Sequence, residues 1–197
     1  MTKEDLSEVF IQTSRGLHFH PFDPKQEDIS IYDIAHALSL VVRWNGHTAF
    51  HYSVATHALN VQSFIEKYYE DENLQFHGLH HDDQEAYFAD VPSPIKEHLP
   101  DVQRLEETIS KAIAKKFKLL RPLPDPVHFA DKAVLILEAL SILPVQPKWL
   151  WSEKWSDTVS RILSMVRNKG IRLEFGRSPE QERQRFIAKH VELGGVV

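Results

Sequence analysis

No cysteine occurs among the 197 residues. Disulfides, zinc–thiolate sites and iron–sulfur clusters are therefore excluded, and any metal must be held by His, Asp and Glu. No apolar run approaches the roughly 20 residues that a membrane-crossing helix needs. The opening Met1-Thr-Lys-Glu-Asp-Leu-Ser-Glu8 lacks the apolar segment of a signal peptide. There is no Gly-rich phosphate loop, no Ser-nucleophile elbow, no internal repeat and no coiled-coil heptad pattern. Lys and Arg, 23 in all, are outnumbered by the 28 Asp and Glu. A net charge of -5 gives no support for a nucleic-acid polymer as partner, although local positive charge can still receive a small phosphate compound. These absences predict a soluble, cytoplasmic protein. With 42% hydrophobic and 26% charged residues the composition is globular, and the length suits one sizeable core, so residues 1–197 are expected to form one domain. What is abundant is histidine. The twelve present make imidazole-plus-carboxylate ligation worth seeking.

The ligand-type side chains are densest at His81-Asp-Asp-Gln-Glu-Ala-Tyr-Phe-Ala-Asp90. On a continuous helix from about 74 to 88, Glu85 would lie one turn beyond His81 and Asp82 and between them. One flank would then hold a metal while the next carboxylate handles a proton or a second metal. The plainer reading is a wet helix surface. Val91-Pro-Ser-Pro-Ile-Lys96 follows as a rigid non-helical rim, with Lys96 either a point charge for a phosphate or a solvated group.

Apolar spacing predicts helices at about 1–12, 31–42, 53–69, 101–119, 127–143, 156–168 and 179–193, with an ordered aromatic loop over 13–28. Ser30 with Asp33 resembles a capping box, Asp101 can cap its helix, and Ser178-Pro-Glu-Gln181 is a good capping sequence. Arg43-Trp-Asn-Gly46 ends one helix in a turn. There Arg43 suits a bidentate phosphate contact and Trp44 can border a base; the alternative is a surface arginine and a core tryptophan. His57 falls on an apolar stripe and needs either a hydrogen-bonding partner or a metal. Asp131 sits in the apolar run Phe129-Ala-Asp-Lys-Ala-Val-Leu-Ile-Leu-Glu138, where an ionised carboxylate needs a partner. A metal shared with His57, His81 and Asp82 would supply it. Trp149, Trp151 and Trp155 are expected to pack as a loop against the bundle.

These elements, in this order, resemble the HD-domain metal-dependent phosphohydrolases, an all-α helical bundle. The closest likeness is to the branch containing the bacterial 5'-deoxynucleotidase and the phage dATP triphosphohydrolases. The matching positions are His57, the pair His81 and Asp82, Glu85, Asp90 before Val-Pro-Ser-Pro-Ile-Lys96, and Asp131. Asp33-Ile-Ala-His-Ala-Leu38, Arg43-Trp-Asn-Gly-His-Thr48 and Tyr52-Ser-Val-Ala55 also fit. The resemblance spans about residues 13–140, with the helices at about 156–193 packed on that core. It implies a divalent metal (Zn, Mn or Co) on His57, His81, Asp82 and Asp131. Glu85 and Asp90 would relay a proton or hold a second metal. Arg43 and Lys96 would bind phosphate and stabilise charge, and Trp44 would border the base or sugar. The implied activity is dNTP triphosphohydrolysis of the dATP type, releasing deoxynucleoside and triphosphate. The alternatives are a 5'-deoxynucleotidase acting on dNMPs and an inactive nucleotide-binding protein. A homo-oligomer with a small-molecule deoxynucleotide as partner is also implied. Three departures stand out: Thr56 where a Glu usually precedes the first histidine, Ala89 in place of a common Gly, and the extra neighbours His80 and Asp83.

Overall fold

Ser30 follows a 3-10 turn at Gln26–Asp28 and caps the first helix, accepting a hydrogen bond from the Tyr32 amide. In this computed structural model, which describes residues 6–197, nearly all regular structure is helical. The predicted helix over 1–12 is replaced, within the described residues, by a 3-10 turn at Leu6–Glu8 and a strand β1 (Ile11–Gln12). β1 pairs antiparallel with β2 (His18–Phe19), taken from the expected loop, and Gly16 supplies the tight reversal with φ of 81°. Phe19 is buried and stacks on Tyr87, with ring centroids 3.7 Å apart.

The helices are α1 (Ile31–Leu40), α2 (Val54–Tyr69), α3 (Glu72–Leu79), α4 (Glu85–Phe88), α5 (Ser93–Lys96), α6 (Pro100–Phe117), α7 (Asp125–Ser141), α8 (Glu153–Lys169) and α9 (Pro179–Glu192). Among the described residues none is long and apolar enough to cross a membrane. α2 packs on α1, α3, α7 and α9, so its residues sit at the centre. Gly78 lets α3 lie against α2: a Cβ there would be 2.4 Å from Ile65 Cδ1. One apolar cluster gathers Ile34, Leu38, Ile109, Ile113 and Phe186 around α1, α6 and α9. A second gathers Phe64, Val134, Ile136, Leu150 and Ile162 around α2, α7 and α8.

Several caps differ from expectation. Asp33 makes no reciprocal capping bond; it accepts from the Ser14 hydroxyl (2.6 Å) and the Arg15 amide (2.9 Å), tying the entry loop to α1. Asp101 lies inside the first turn of α6, whose start is set by Pro100, a residue with no N–H to leave unpaired. The capping box at Ser178 and Gln181 is present. Val91-Pro-Ser-Pro-Ile-Lys96 is not wholly non-helical, because Ser93–Lys96 turns helical with Pro94 in its first turn. Trp149 and Trp155 pack together at 4.9 Å, whereas Trp151 is 57% exposed rather than packed.

Candidate metal centre

The predicted continuous helix from 74 to 88 is broken. α3 ends at Leu79, residues 80–84 form tight turns, and α4 begins at Glu85. The turns close through Glu85 N–H to Asp82 O (3.0 Å) and Ala86 N–H to Asp83 O (3.2 Å). Four consecutive polar side chains each have a fixed environment, which a single helix face cannot provide. His81 and Asp82 face α2 and α7. His80 and Asp83 pair with each other at 2.7 Å, which removes them as competing ligands. Glu85 is thus not stacked over His81 and Asp82 on one regular helix.

His57 comes from the first half of α2 and is fully buried. Its Nδ1 lies 2.6 Å from Glu138 Oε1. His81 Nδ1 lies 2.8 Å from Gly78 O. A carbonyl can only accept, so His81 Nδ1 carries the proton; a carboxylate partner assigns the same tautomer to His57. Both Nε2 lone pairs are then directed inward, 3.2 Å apart. Asp131 Oδ1 stands 3.1 Å from His57 Nε2 and 3.8 Å from His81 Nε2. Asp82 Oδ2 stands 3.1 Å from His81 Nε2 and 3.8 Å from His57 Nε2. Two imidazole lone pairs and two carboxylates around one point suit a divalent cation, and each histidine already has an outer hydrogen-bond acceptor. Of these four residues, His57, His81 and Asp131 form the tighter set, with one ligand atom from each within 4.8 Å of the others. Asp131 does not occupy the dry position expected from its helix; its side chain is 40% exposed. It lies at the mouth of the centre while its neighbours Ala130 and Ala133 are buried.

Without a cation, protons occupy this cluster. Burial opposes charge on His81, but Asp82 beside it raises the imidazole to about 9. His57 is also raised, with burial and Arg43 opposing and Glu138 and Asp131 favouring its charge. Asp82 and Asp131 are held low despite burial, by His81 and His57. A metal must displace the His81 proton at any pH below about 9. Raising the pH removes that proton, so metal binding is expected to tighten as pH rises and to level off above about 9. The slope expected is roughly tenfold per pH unit for each proton displaced. Co(II) titrations from about pH 6 to 9 measure it; an affinity independent of pH over that range contradicts this account.

Glu138 is a functional residue that the sequence pattern alone does not single out. It lies seven residues after Asp131 in α7, so both occupy one stripe two turns apart. It is fully buried. Oε1 receives His57 Nδ1–H and the Tyr52 hydroxyl (2.9 Å), while Oε2 receives Trp44 Nε1–H (3.2 Å) and faces Arg43 Nε at 3.4 Å. A carboxylate inside an apolar run is its only signal in the sequence, and Asp131 in the same run carries that signal equally. Arg43 and Trp44 reach it because their loop is clamped at its base by Arg43 N–H to Tyr52 O and Val54 N–H to Val41 O, both 3.0 Å. Trp44 and Asn45 then adopt left-handed backbone, φ 56° and 49°. Arg43 is neither a surface group nor free: it is buried, with Nη1 3.6 Å from Asp82 Oδ2. Trp44 is half-buried against the α2–α7 core.

Glu85 is buried and its Oε2 has no hydrogen-bond partner. Burial, with Asp82 and Asp90 nearby, pushes its carboxyl well above the usual range. Asp90 is also raised, by burial and Asp82 against the pull of Arg43. Lys96 is paired with Glu106 at 2.8 Å rather than solvated. Before Asp90, Ala89 has φ 74° and ψ 167°, a region that strongly favours glycine. Ala89→Gly is therefore expected to raise stability by about 1 kcal/mol, or roughly 2–4 °C in Tm. A thermal melt showing no gain would mean that the strain is absent.

A cavity of about 230 Å³ adjoins the centre, lined among others by His81, Asp82, Gln103, Arg121, His128 and Asp131. The molecule is thus a predominantly helical protein whose His/His/Asp cluster, two buried histidines and a half-buried aspartate, can hold a divalent metal beside an open cleft. No family model matches the chain. It is 39% identical over 129 residues to Uncharacterized protein YfdR of Escherichia coli, covering 66% of this chain and 70% of that protein. It is 31% identical over 180 residues to Uncharacterized protein RCAP_rcc00048 of Rhodobacter capsulatus, covering 89% of this chain and 90% of that protein. The chain belongs to the family of these two proteins.

Proposed function

We propose that the chain is an HD-domain metal-dependent phosphohydrolase of one domain, acting on deoxynucleotides. The observation that carries this reading is the convergence of His57 Nε2 and His81 Nε2, 3.2 Å apart, with Asp131 and Asp82 completing the ring. When bound, a divalent cation such as Zn, Mn or Co supplies Lewis acidity toward a phosphoryl oxygen. The chain's own groups do the rest. Glu85, with its carboxyl pushed well above the usual range by burial, is suited to give or take a proton beside the centre. Asp90 is its partner in that exchange, or joins it in holding a second cation. Arg43 presents its guanidinium beside Asp82 and stabilises charge developing on phosphate. Trp44, fixed by its bond to Glu138, borders the base or sugar.

The first reading for substrate is a dNTP of the dATP type, cleaved to deoxynucleoside and triphosphate. Arg43, Lys96 and Arg121 supply basic groups around the centre and cleft for a polyphosphate. One observation favours the second reading, a dNMP. Lys96 is paired with Glu106 at 2.8 Å and Arg121 with Glu107 at 3.0 Å, so little unpaired positive charge remains for three phosphates. Product analysis separates them. The purified protein is incubated with each dNTP and each dNMP in Mn, Co and Zn, and the released species are identified. Triphosphate plus deoxynucleoside supports the first reading, and inorganic phosphate from dNMPs alone supports the second. Binding without turnover in any metal rejects both in favour of a nucleotide-binding protein. The homo-oligomer implied by the family resemblance is tested by light scattering of the same preparation.

A further inference from the structure

His80 and Asp83 flank the two ligands of the turn but point into a separate, dry cluster. His80 Nδ1 lies 2.7 Å from Asp83 Oδ2, His80 Nε2 lies 2.9 Å from His190 Nδ1, and His190 Nε2 lies 3.2 Å from Val196 O. His190 is fully buried, and His80 and Asp83 are nearly so. Phe76, Phe117 and Phe186 close around them, with His80 ring-centroid distances of 4.6, 5.3 and 5.6 Å. Burial and the adjacent His80 hold His190 down at about 4, hence neutral with one N–H. Val196 O can only accept, so that N–H is on Nε2, and Nδ1 receives the Nε2–H of His80.

The segment after α9 is folded onto the same imidazole. Gly195 N–H bonds His190 O at 2.8 Å and Gly194 N–H bonds Val191 O at 3.0 Å. A Cβ on Gly195 would lie 2.3–2.5 Å from three His190 ring atoms. The last helix, which carries no catalytic motif, therefore reaches the residue directly before His81.

We propose that His190 is a positioning residue for the metal centre. Covered by the 193–197 segment, it anchors His80 and so fixes the turn that aims His81 and Asp82. The inference rests on the metal reading of His57, His81 and Asp131. His80 and His81 share a peptide unit, so a small rotation at His80 moves the neighbouring Nε2 lone pair out of line. A ligand set loses affinity when its support is loose by about 1 Å.

The test uses the full chain with Co(II), reading affinity and visible absorption spectrum beside metal-free thermal melts and circular dichroism. Three variants are compared with wild type. His190→Phe keeps an aromatic ring without nitrogen, Gly195→Ala pushes the covering segment off the ring, and His190→Asn restores a polar atom near the Nδ1 position. We expect His190→Phe and Gly195→Ala to weaken Co(II) binding about tenfold and to shift the spectrum, with His190→Asn recovering most of both. Should His190→Phe not fold, the other two variants carry the test. Folded variants with wild-type affinity and spectrum overturn the inference, whatever their melting temperatures, because His190 would then support packing alone. Wild type that binds no Co(II) overturns the metal reading and this inference together.

Discussion

Asp131→Ala is expected to yield a folded protein that no longer retains metal. Asp131 belongs to the tight ligand set with His57 and His81, yet its side chain is 40% exposed at the mouth of the cleft. Alanine is the strongest helix former, and α7 runs from Asp125 to Ser141 around this position. Removing the carboxylate therefore costs little packing. It also leaves His81 paired with Asp82. Metal affinity is a different matter. A structural zinc is held by a total of about 10–16 kcal/mol, so loss of one ligand of four weakens binding on the order of 10²- to 10³-fold. Elemental analysis after dialysis, with hydrolysis of deoxynucleotides assayed in parallel, measures both consequences. If Asp131→Ala keeps metal content and activity, the assigned centre is wrong.

Asp131 also shows how far the sequence can be read. A carboxylate in an apolar helix reads as demanding a partner, and that reading points from Asp131 to His57 and His81; yet Asp131 is 40% exposed, and the carboxylate of the run that is dry is Glu138. The helical class and most helix spans follow from apolar periodicity. The turn at 80–84 does not, because the six polar residues between Leu79 and Ala86 carry no apolar spacing that could report a break, and hydrogen bonds of side chains decide it: His81 to Gly78 O and His80 to Asp83. The charge state of the cleft is equally hidden. Lys96 and Arg43 read as free cations in one dimension, but Glu106 and Glu138, each at least ten residues away in sequence, neutralise them. Periodicity reports which face is buried; it does not report which buried polar groups meet.

Glu138→Gln is where that hidden layer has its largest expected effect. The Glu138 carboxylate accepts on both oxygens: His57 Nδ1 and Tyr52 on one, Trp44 on the other, with Arg43 Nε 3.4 Å from the second. Despite burial, Arg43 and His57 hold it below its usual range, as an anion. Glutamine has one acceptor oxygen and one NH₂. Turned one way, its NH₂ opposes Trp44 Nε1–H and the Arg43 guanidinium. Turned the other way, it donates to His57 Nδ1 and forces the imidazole proton onto Nε2, the atom aimed at the metal. Either orientation misplaces a group the centre uses. Metal affinity is expected to fall about 10–100-fold, the usual effect of removing an outer partner of a histidine ligand. Arg43 loses one of two carboxylates and keeps Asp82, so stability is expected to fall by less than the about 3–5 kcal/mol of a buried charge left without any partner. Tyr52→Phe is the informative control. It deletes one donor to Oε1 but leaves the charge and the His57 tautomer in place, so a loss of about 1 kcal/mol with metal affinity retained is expected. Denaturant melts of the metal-free proteins and Co(II) titrations separate the two effects. Were Glu138→Gln to bind Co(II) as wild type does, the tautomer of His57 would not depend on this carboxylate, and the inward direction of its Nε2 lone pair would need another cause.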